Sequence, residues 1–198
     1  MENSSDKPDW TPAAFLETRR LIFRAWKETD LELALGLWGD PQVTRYIDAR
    51  GKLTVAAVQE RLIREIACLK ENGVQYWPIF LRSSGEHVGC CGLRPYELSG
   101  NIYELGFHIR SELWRHGFAS ESALAVMAFA FNQKSVNALF AGHNPNNTAS
   151  RHLLKKLGFR YTHDEYYAPT GLYHRSYMLT AEDYIENALI ENPSKQEQ

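Results

Sequence analysis

The sequence predicts an α/β fold, a single domain whose mixed central sheet of about seven strands is flanked by helices. Three features of the chain point to it. Strand-like and helical segments follow in the order strand, two helices, three-strand meander, helix, strand, helix, two strands. Strands in runs with helices crossing between them call for parallel and antiparallel pairings in one sheet. The length of 198 residues, with 44% hydrophobic and 23% charged residues, suits one domain with a full core and shows no composition shift that would announce a second.

Each element has its own signal. Residues 21–26 (Leu-Ile-Phe-Arg-Ala-Trp) form a short apolar run rich in strand formers. Leu31, Ala34, Leu35 and Trp38 keep helical spacing after Thr29-Asp30, and Asp40-Pro41 stops that helix. Thr54 is a natural N-cap for a longer helix whose apolar stripe is Val55, Val58, Leu62, Ile66 and Leu69, ended by Asn72-Gly73. Residues 76–81 and 87–93 read as a hairpin around Arg82-Ser83-Ser84-Gly85-Glu86, and residues 102–109 as a further strand. A helix over 120–131, a strand over 136–141 and a helix over 148–157 follow, the last ended by Gly158-Phe159. Strands near 159–162 and 173–180 close the domain. Residues 15–187 are thus expected to form the domain, with polar tails at 1–14 and 188–198.

Charge and composition narrow the function classes. A net charge of −2 gives no electrostatic reason for binding nucleic acid or an anionic membrane. Residues 1–10 lack the apolar run of a signal peptide, and no stretch approaches the roughly 20 apolar residues of a spanning helix. Cys68, Cys90 and Cys91 have no framework or metal-ligand spacing, and neighbours on a strand point to opposite faces. They are expected to be buried thiols in a cytoplasmic protein. The histidines likewise show no short ligand spacing, so no metal site is expected.

The most informative stretch joins the strand at 102–109 to the helix that follows, through Ser111-Glu112-Leu113-Trp114-Arg115-His116-Gly117-Phe118. Amide groups at a helix start have no intrahelical partner and sit at the positive end of the helix dipole. A strand, a glycine loop and a helix start together make a site for phosphate or pyrophosphate, against the plainer reading of an ordinary turn. Gly117 lets backbone approach an anion, and Arg115 and His116 can add charge. Neither a P-loop nor a dinucleotide fingerprint is present.

Trp114-Arg115-His116-Gly117-Phe118-Ala119-Ser120-Glu121 resembles the pyrophosphate-loop motif of the GNAT N-acetyltransferase superfamily, closest to its RimJ/RimL-like branch. Asn144-Pro145-Asn146-Asn147-Thr148-Ala149-Ser150 with Lys155-Lys156-Leu157-Gly158-Phe159, and the opening Thr18-Arg19-Arg20-Leu21-Ile22-Phe23-Arg24, are similar to two further elements of that branch. The resemblance implies a GNAT-like domain binding acetyl-CoA as acyl donor, with direct attack by an amine and no covalent enzyme intermediate. It implies that backbone near His108, Ile109 and Arg110 holds the pantetheine arm, that Arg115, His116, Gly117, Phe118, Ala119 and Ser120 hold the pyrophosphate, and that Asn147, otherwise a natural N-cap, touches the coenzyme arm. Trp38, Tyr46 and Tyr76 would shape the acceptor wall, and homodimers are common in the family. Two positions depart from the pattern. Arg115 stands where a glycine is usual, and Leu154 where many members carry the tyrosine that protonates the departing thiolate. The branch assigns that role to Ser150.

Acyl transfer needs a neutral amine, so a proton acceptor is required, and burial raises a carboxyl pKa toward a useful range. By the period-2 rule Tyr103, Leu105, Phe107 and Ile109 share a core face, while Glu104, Gly106 and His108 share the other. Glu104 is the candidate base, against a glutamate with solvated or structural bonds; His108 is the second candidate. They stand roughly 13 Å apart along the strand, too far to touch one reacting atom together. A bulge in this strand, usual in the family, would alter that facing. Ser150 shares a helix face with Leu153, Leu154 and Leu157, and either bonds the helix backbone or serves the coenzyme sulfur. The rival from another class is a non-catalytic acyl-CoA-binding regulatory module. Acyl chain length and the amine itself, a protein N-terminus or a small molecule, stay open.

Overall fold

The computed structural model describes residues 15–191. The strands are β1 (Leu16–Glu17), β2 (Leu21–Phe23), β3 (Tyr76–Leu81), β4 (His87–Glu97), β5 (Ile102–Ile109), β6 (Ala138–His143), β7 (Arg160–Tyr167) and β8 (Leu172–Thr180). The helices are α1 (Leu31–Trp38), α2 (Pro41–Thr44), α3 (Val55–Asn72), α4 (Phe118–Asn132), α5 (Thr148–Lys156) and α6 (Ala181–Glu191). All strands join one 8-stranded sheet in the order β1-β2-β3-β4-β5-β6-β8-β7. Only the β5–β6 pair is parallel, with α4 as its crossover; the other pairs are antiparallel.

The predicted mixed sheet is therefore present, one strand larger than expected. The addition is β1, two residues too short to carry a pattern. The strand expected over 21–26 ends at Phe23, because Arg24 N–H meets the carbonyl of Pro78, which has no N–H to return. Asp40-Pro41 ends α1 as expected and also starts α2, with Pro41 in the first turn and Asp40 accepting from Gln42 N at 2.8 Å. Thr54 caps α3 through Ala57 N, and Gly73 closes it at φ 69°, where glycine is at home. Helix α6 continues through residues 188–191, which had been read as tail; residues 1–14 and 192–198 lie outside the described part.

The pleat sorts the core into two. Cys91 and Leu93 of β4 face α4 with Tyr103, Leu105 and Ile109, joined by Val126, Met127 and Ala130. Cys90 faces the other way, among Trp38 of α1, Val58 and Leu62 of α3, and Tyr76. Both cysteines are fully buried on opposite faces, as their adjacency predicts. The bulge expected within Ile102–Ile109 is absent. The register shifts instead in β4 between Pro95 and Glu97, so β5 keeps strict alternation and Glu104, Gly106 and His108 share one face.

Candidate active site

Strands β5 and β6 pair only at Ile102–Ala138, Tyr103–Leu139 and Glu104–Phe140. Beyond Glu104 they diverge, which leaves the β5 edge from Leu105 onward without a neighbour and opens a wedge in the sheet. That wedge belongs to a cavity of about 800 Å³ reaching from the N-terminus of α4 to the face of α3. Its opposite wall is the start of α5.

The loop before α4 is shaped by two left-handed residues. Gly117, the N-cap, has φ 79° and supplies no capping side chain. Arg115 has φ 66°, a conformation in which an L side chain is strained, and this explains why glycine is usual at the position. Trp114 Nε1 donates to Ile109 O at 2.8 Å and Ser111 Oγ to Asp40 Oδ2 at 2.5 Å, tying the loop to β5 and to the α1–α2 junction. Arg20 and Glu121 complete the frame. Glu121 accepts from Thr18 Oγ1 (2.6 Å), Arg20 N (2.9 Å) and Arg20 Nε (2.6 Å), while Arg20 also donates to His116 O and stacks on Phe118. The first turn of α4 is thus pinned to the β1–β2 turn.

Of the expected coenzyme residues, His108, Ile109, Arg115, Gly117, Phe118, Ala119, Ser120 and Asn147 line this cavity. Arg110 and His116 do not. Arg110 turns to Glu112 at 2.6 Å and packs beside Gly36, and His116 lies outward over Phe118 with Nδ1 2.9 Å from Trp114 O. Asn147 Oδ1 accepts from Ser150 N at 3.1 Å, so it does cap α5. Ser150 and Leu154 also line the cavity, and Ser150 Oγ has no partner among the described residues.

The other end of the cavity is formed on the β5 face that carries Glu104. Cross-strand register sets Arg94 against Glu104, Gly92 against Gly106 and Cys90 against His108. Gly106 makes room for the Tyr76 ring, which lies 2.1 Å from where its Cβ would fall, and Gly92 for the neighbouring β3 backbone. Burial raises the Glu104 carboxyl, opposed by the nearby Arg94 charge. Burial holds His108 well below its usual range, helped by Arg61 and Arg94. Trp38 Nε1 lies 3.3 Å from His108 Nδ1. An indole can only donate, so Nδ1 is the bare nitrogen and the proton sits on Nε2. In that tautomer His108 offers the cavity a donor, which disfavours it as a base beside Glu104.

Sequence reasoning missed Arg61, Glu65, Arg94 and His143. Glu65, almost fully buried, accepts from Tyr76 N at 2.9 Å and pairs closely with Arg94, whose guanidinium lies 4.2 Å from the Tyr76 ring. Arg61 stacks on Trp38 at 4.8 Å. The signal was available: Arg61 and Glu65 fall at i, i+4 inside the α3 stripe of Val58, Leu62 and Ile66, where charges need a reason to be. His143, on the cavity wall, donates from Nδ1 to Asn144 O at 2.8 Å, leaving a buried Nε2 without a partner among the described residues.

Residues 20–160 match the acetyltransferase (GNAT) domain model. The chain belongs to the GNAT acetyltransferase family. Among GNAT relatives it is similar to YoaA of Bacillus subtilis (strain 168), described as an uncharacterised N-acetyltransferase, at 30% identity over 145 residues, covering 73% of this chain and 82% of that one. The uncharacterised N-acetyltransferase p20 of Bacillus licheniformis is 26% identical over 147 residues, with 73% and 82% covered. The fold is shared with a GNAT-family acetyltransferase from Bacillus anthracis (TM-score 0.73, 22% identity, 84% and 98% covered). It is shared too with RimL, a ribosomal L7/L12 alpha-N-protein acetyltransferase solved with coenzyme A (TM-score 0.70, 15% identity, 82% and 95% covered). The GNAT identity makes this protein an N-acetyltransferase by family.

Proposed function

We propose that this chain transfers an acetyl group from acetyl-CoA to a primary amine by direct attack, as a cytoplasmic member of the RimJ/RimL-like branch. The observation that carries the reading is the loss of β5–β6 pairing beyond Glu104 and Phe140, which opens an edge strand toward the uncapped start of α4. The residues present suit the coenzyme. The amides at the start of α4 and the Arg115 charge match a pyrophosphate, bare backbone at Gly117 allows close approach, and the β5 edge offers strand-like hydrogen bonds to a pantetheine amide. The likeness to RimL, solved with coenzyme A, supports the same donor.

Acetyl-CoA supplies the acyl group as a thioester. Glu104, with its raised pKa, takes a proton from the entering ammonium, directly or through water, so that the nitrogen has a lone pair. The Arg94 charge opposes the burial that raises the Glu104 pKa. His108 Nε2 donates into the cavity and orients the acceptor. Ser150 Oγ, on the first turn of α5, gives a hydrogen bond or a proton at the coenzyme sulfur, the role that Leu154 cannot perform.

Calorimetric titration of acetyl-CoA tests the reading, with Gly117→Ala and Gly117→Glu alongside. Both variants carry a side chain at φ 79°, but only the second sets a negative charge against the pyrophosphate. Micromolar binding by the parent, weakened in Gly117→Ala and lost in Gly117→Glu, is the expected result. A folded parent that binds no acetyl-CoA would overturn it.

A further inference from the structure

Among the described residues Arg61 is a buried cation without a counter-ion of its own. The residue is only 9% exposed, its Nε has no hydrogen-bond partner among them, and its guanidinium lines the cavity while stacked on the Trp38 ring. The neighbouring carboxylates are otherwise engaged. Glu65 is taken by Arg94 and Tyr76 N, and Asp48 by Arg50 at 2.7 Å. Glu165, across the cavity, accepts from Tyr96 at 3.2 Å. Glu104 is the base of the reaction proposed above, and must gain and lose a proton in each cycle. Arg94, half-buried on the same wall, is already neutralised by Glu65, which leaves Arg61 as the cation that a ligand anion could pair.

A guanidinium removed from water and left unpaired is unfavourable, and a carboxylate that docks on its terminal nitrogens removes that penalty with paired, charge-assisted hydrogen bonds. Resting on the acetyltransferase reading, we propose that the acceptor is a primary amine that also carries a carboxylate, an amino-acid-like zwitterion whose amine meets Glu104 and whose carboxylate meets Arg61. The same charge argues against polyamines and aminoglycosides as acceptors, since each would bring a second cation against Arg61.

Product mimics isolate this recognition from turnover. The protein is saturated with coenzyme A and titrated calorimetrically with N-acetylglycine, N-acetyl-β-alanine, 4-acetamidobutyrate and N-acetylserine, each also as its carboxamide. At least one acid is expected to bind tenfold or more tighter than its amide, and the best spacer reads the separation of Glu104 from Arg61. Arg61→Gln is expected to erase the preference while leaving coenzyme A affinity unchanged, and Arg61→Lys to restore part of it. Equal binding of acids and amides, no binding of any acid to coenzyme-loaded protein, or a preference that survives Arg61→Gln would each overturn the proposal. A parent that binds no coenzyme A would instead remove the acetyltransferase reading on which it rests. If Arg61→Gln fails to fold, the acid-to-amide comparison in the parent decides alone.

Discussion

In the proposed pyrophosphate loop, Arg115 would trade stability for chemistry. At φ 66° a non-glycine residue loses roughly 1–2 kcal/mol of backbone energy, while glycine loses little. Replacing Arg115 by Gly is expected to raise unfolding stability by up to about 1 kcal/mol in urea titrations, the net of relieved strain and added chain entropy. The same variant should bind acetyl-CoA roughly three- to tenfold more weakly, from loss of one phosphate-facing cation. Stability and affinity moving together would refute the trade. At Glu104 the expectation is kinetic. The proposed base must be a carboxylate to act, and burial raises its pKa above the ordinary value, so kcat/KM should climb with pH through a pKa above the usual carboxylate range. Glu104→Gln should lower kcat by roughly 10²- to 10⁴-fold and abolish that acid limb of the pH–rate profile. That both residues stand together at one cavity was suggested by the sequence, Glu104 through strand alternation and Arg115 through its place in the motif. The strain at Arg115 was not, because φ depends on how the loop must turn to connect β5 and α4.

At the scale of elements, placement of α4 depends on a contact between distant parts of the chain. Glu121 lies in the first turn of the helix and ties it to Thr18 and Arg20, with the ion pair only partly exposed. Those bonds also keep the carboxylate low and charged, the burial of Glu121 acting against them. Glu121→Ala is expected to cost about 1–3 kcal/mol, measured by denaturant titration, through loss of charge-assisted hydrogen bonds that leave Arg20 and Thr18 unmatched. It should also weaken acetyl-CoA binding without changing kcat at saturation, because no reacting atom is touched. The β5 strand makes a second demand: Gly106→Ala would drive a methyl into Tyr76 and should displace the acceptor wall, raising KM for the amine. Long patterned elements such as α3 and β5 could be read from periodicity alone. Strand β7 could not be read to its full length, since every residue from Arg160 to Tyr167 is exposed and it is placed by pairing with β8 and by surface contacts such as Arg160–Asp183. Helix α6 did have a signal, Thr180 accepting from Asp183 N at its start, but the signal is short and follows directly on a strand.

For the whole molecule, the clearest prediction concerns acid. His87 is 4% exposed and packed between Trp26 and Phe80, and among the described residues neither ring nitrogen has a partner at hydrogen-bond geometry. Burial, aided by the charge of Arg110, lowers its pKa from 6.5 to about 4. Arg24 adds to the depression and Asp30 opposes it. The unfolded chain therefore binds the proton more readily between those values, so this contribution is complete above pH 6.5 and is lost as pH falls toward 4. The expected loss is up to roughly 3 kcal/mol, and His87→Leu should flatten the pH dependence of Tm across that window. An unchanged slope in the variant would assign the acid sensitivity elsewhere.

By itself the sequence determined the fold class, the order of nearly all elements and the loop that opens α4, because hydrophobic period, caps and glycine position are local properties of the chain. It also marked Glu104 and Ser150 as candidates by strand and helix facing. Only the tertiary structure decided where β5 and β6 part, that Arg110 and His116 turn from the cavity, which nitrogen of His108 is bare, and that Arg61 faces the same space as Glu104. Each of those depends on which distant segments pack together: α1 on β5, α3 across the sheet, and β8 beside β6. Burial, and with it every shift in charge and proton affinity, exists only once those surfaces have closed on one another.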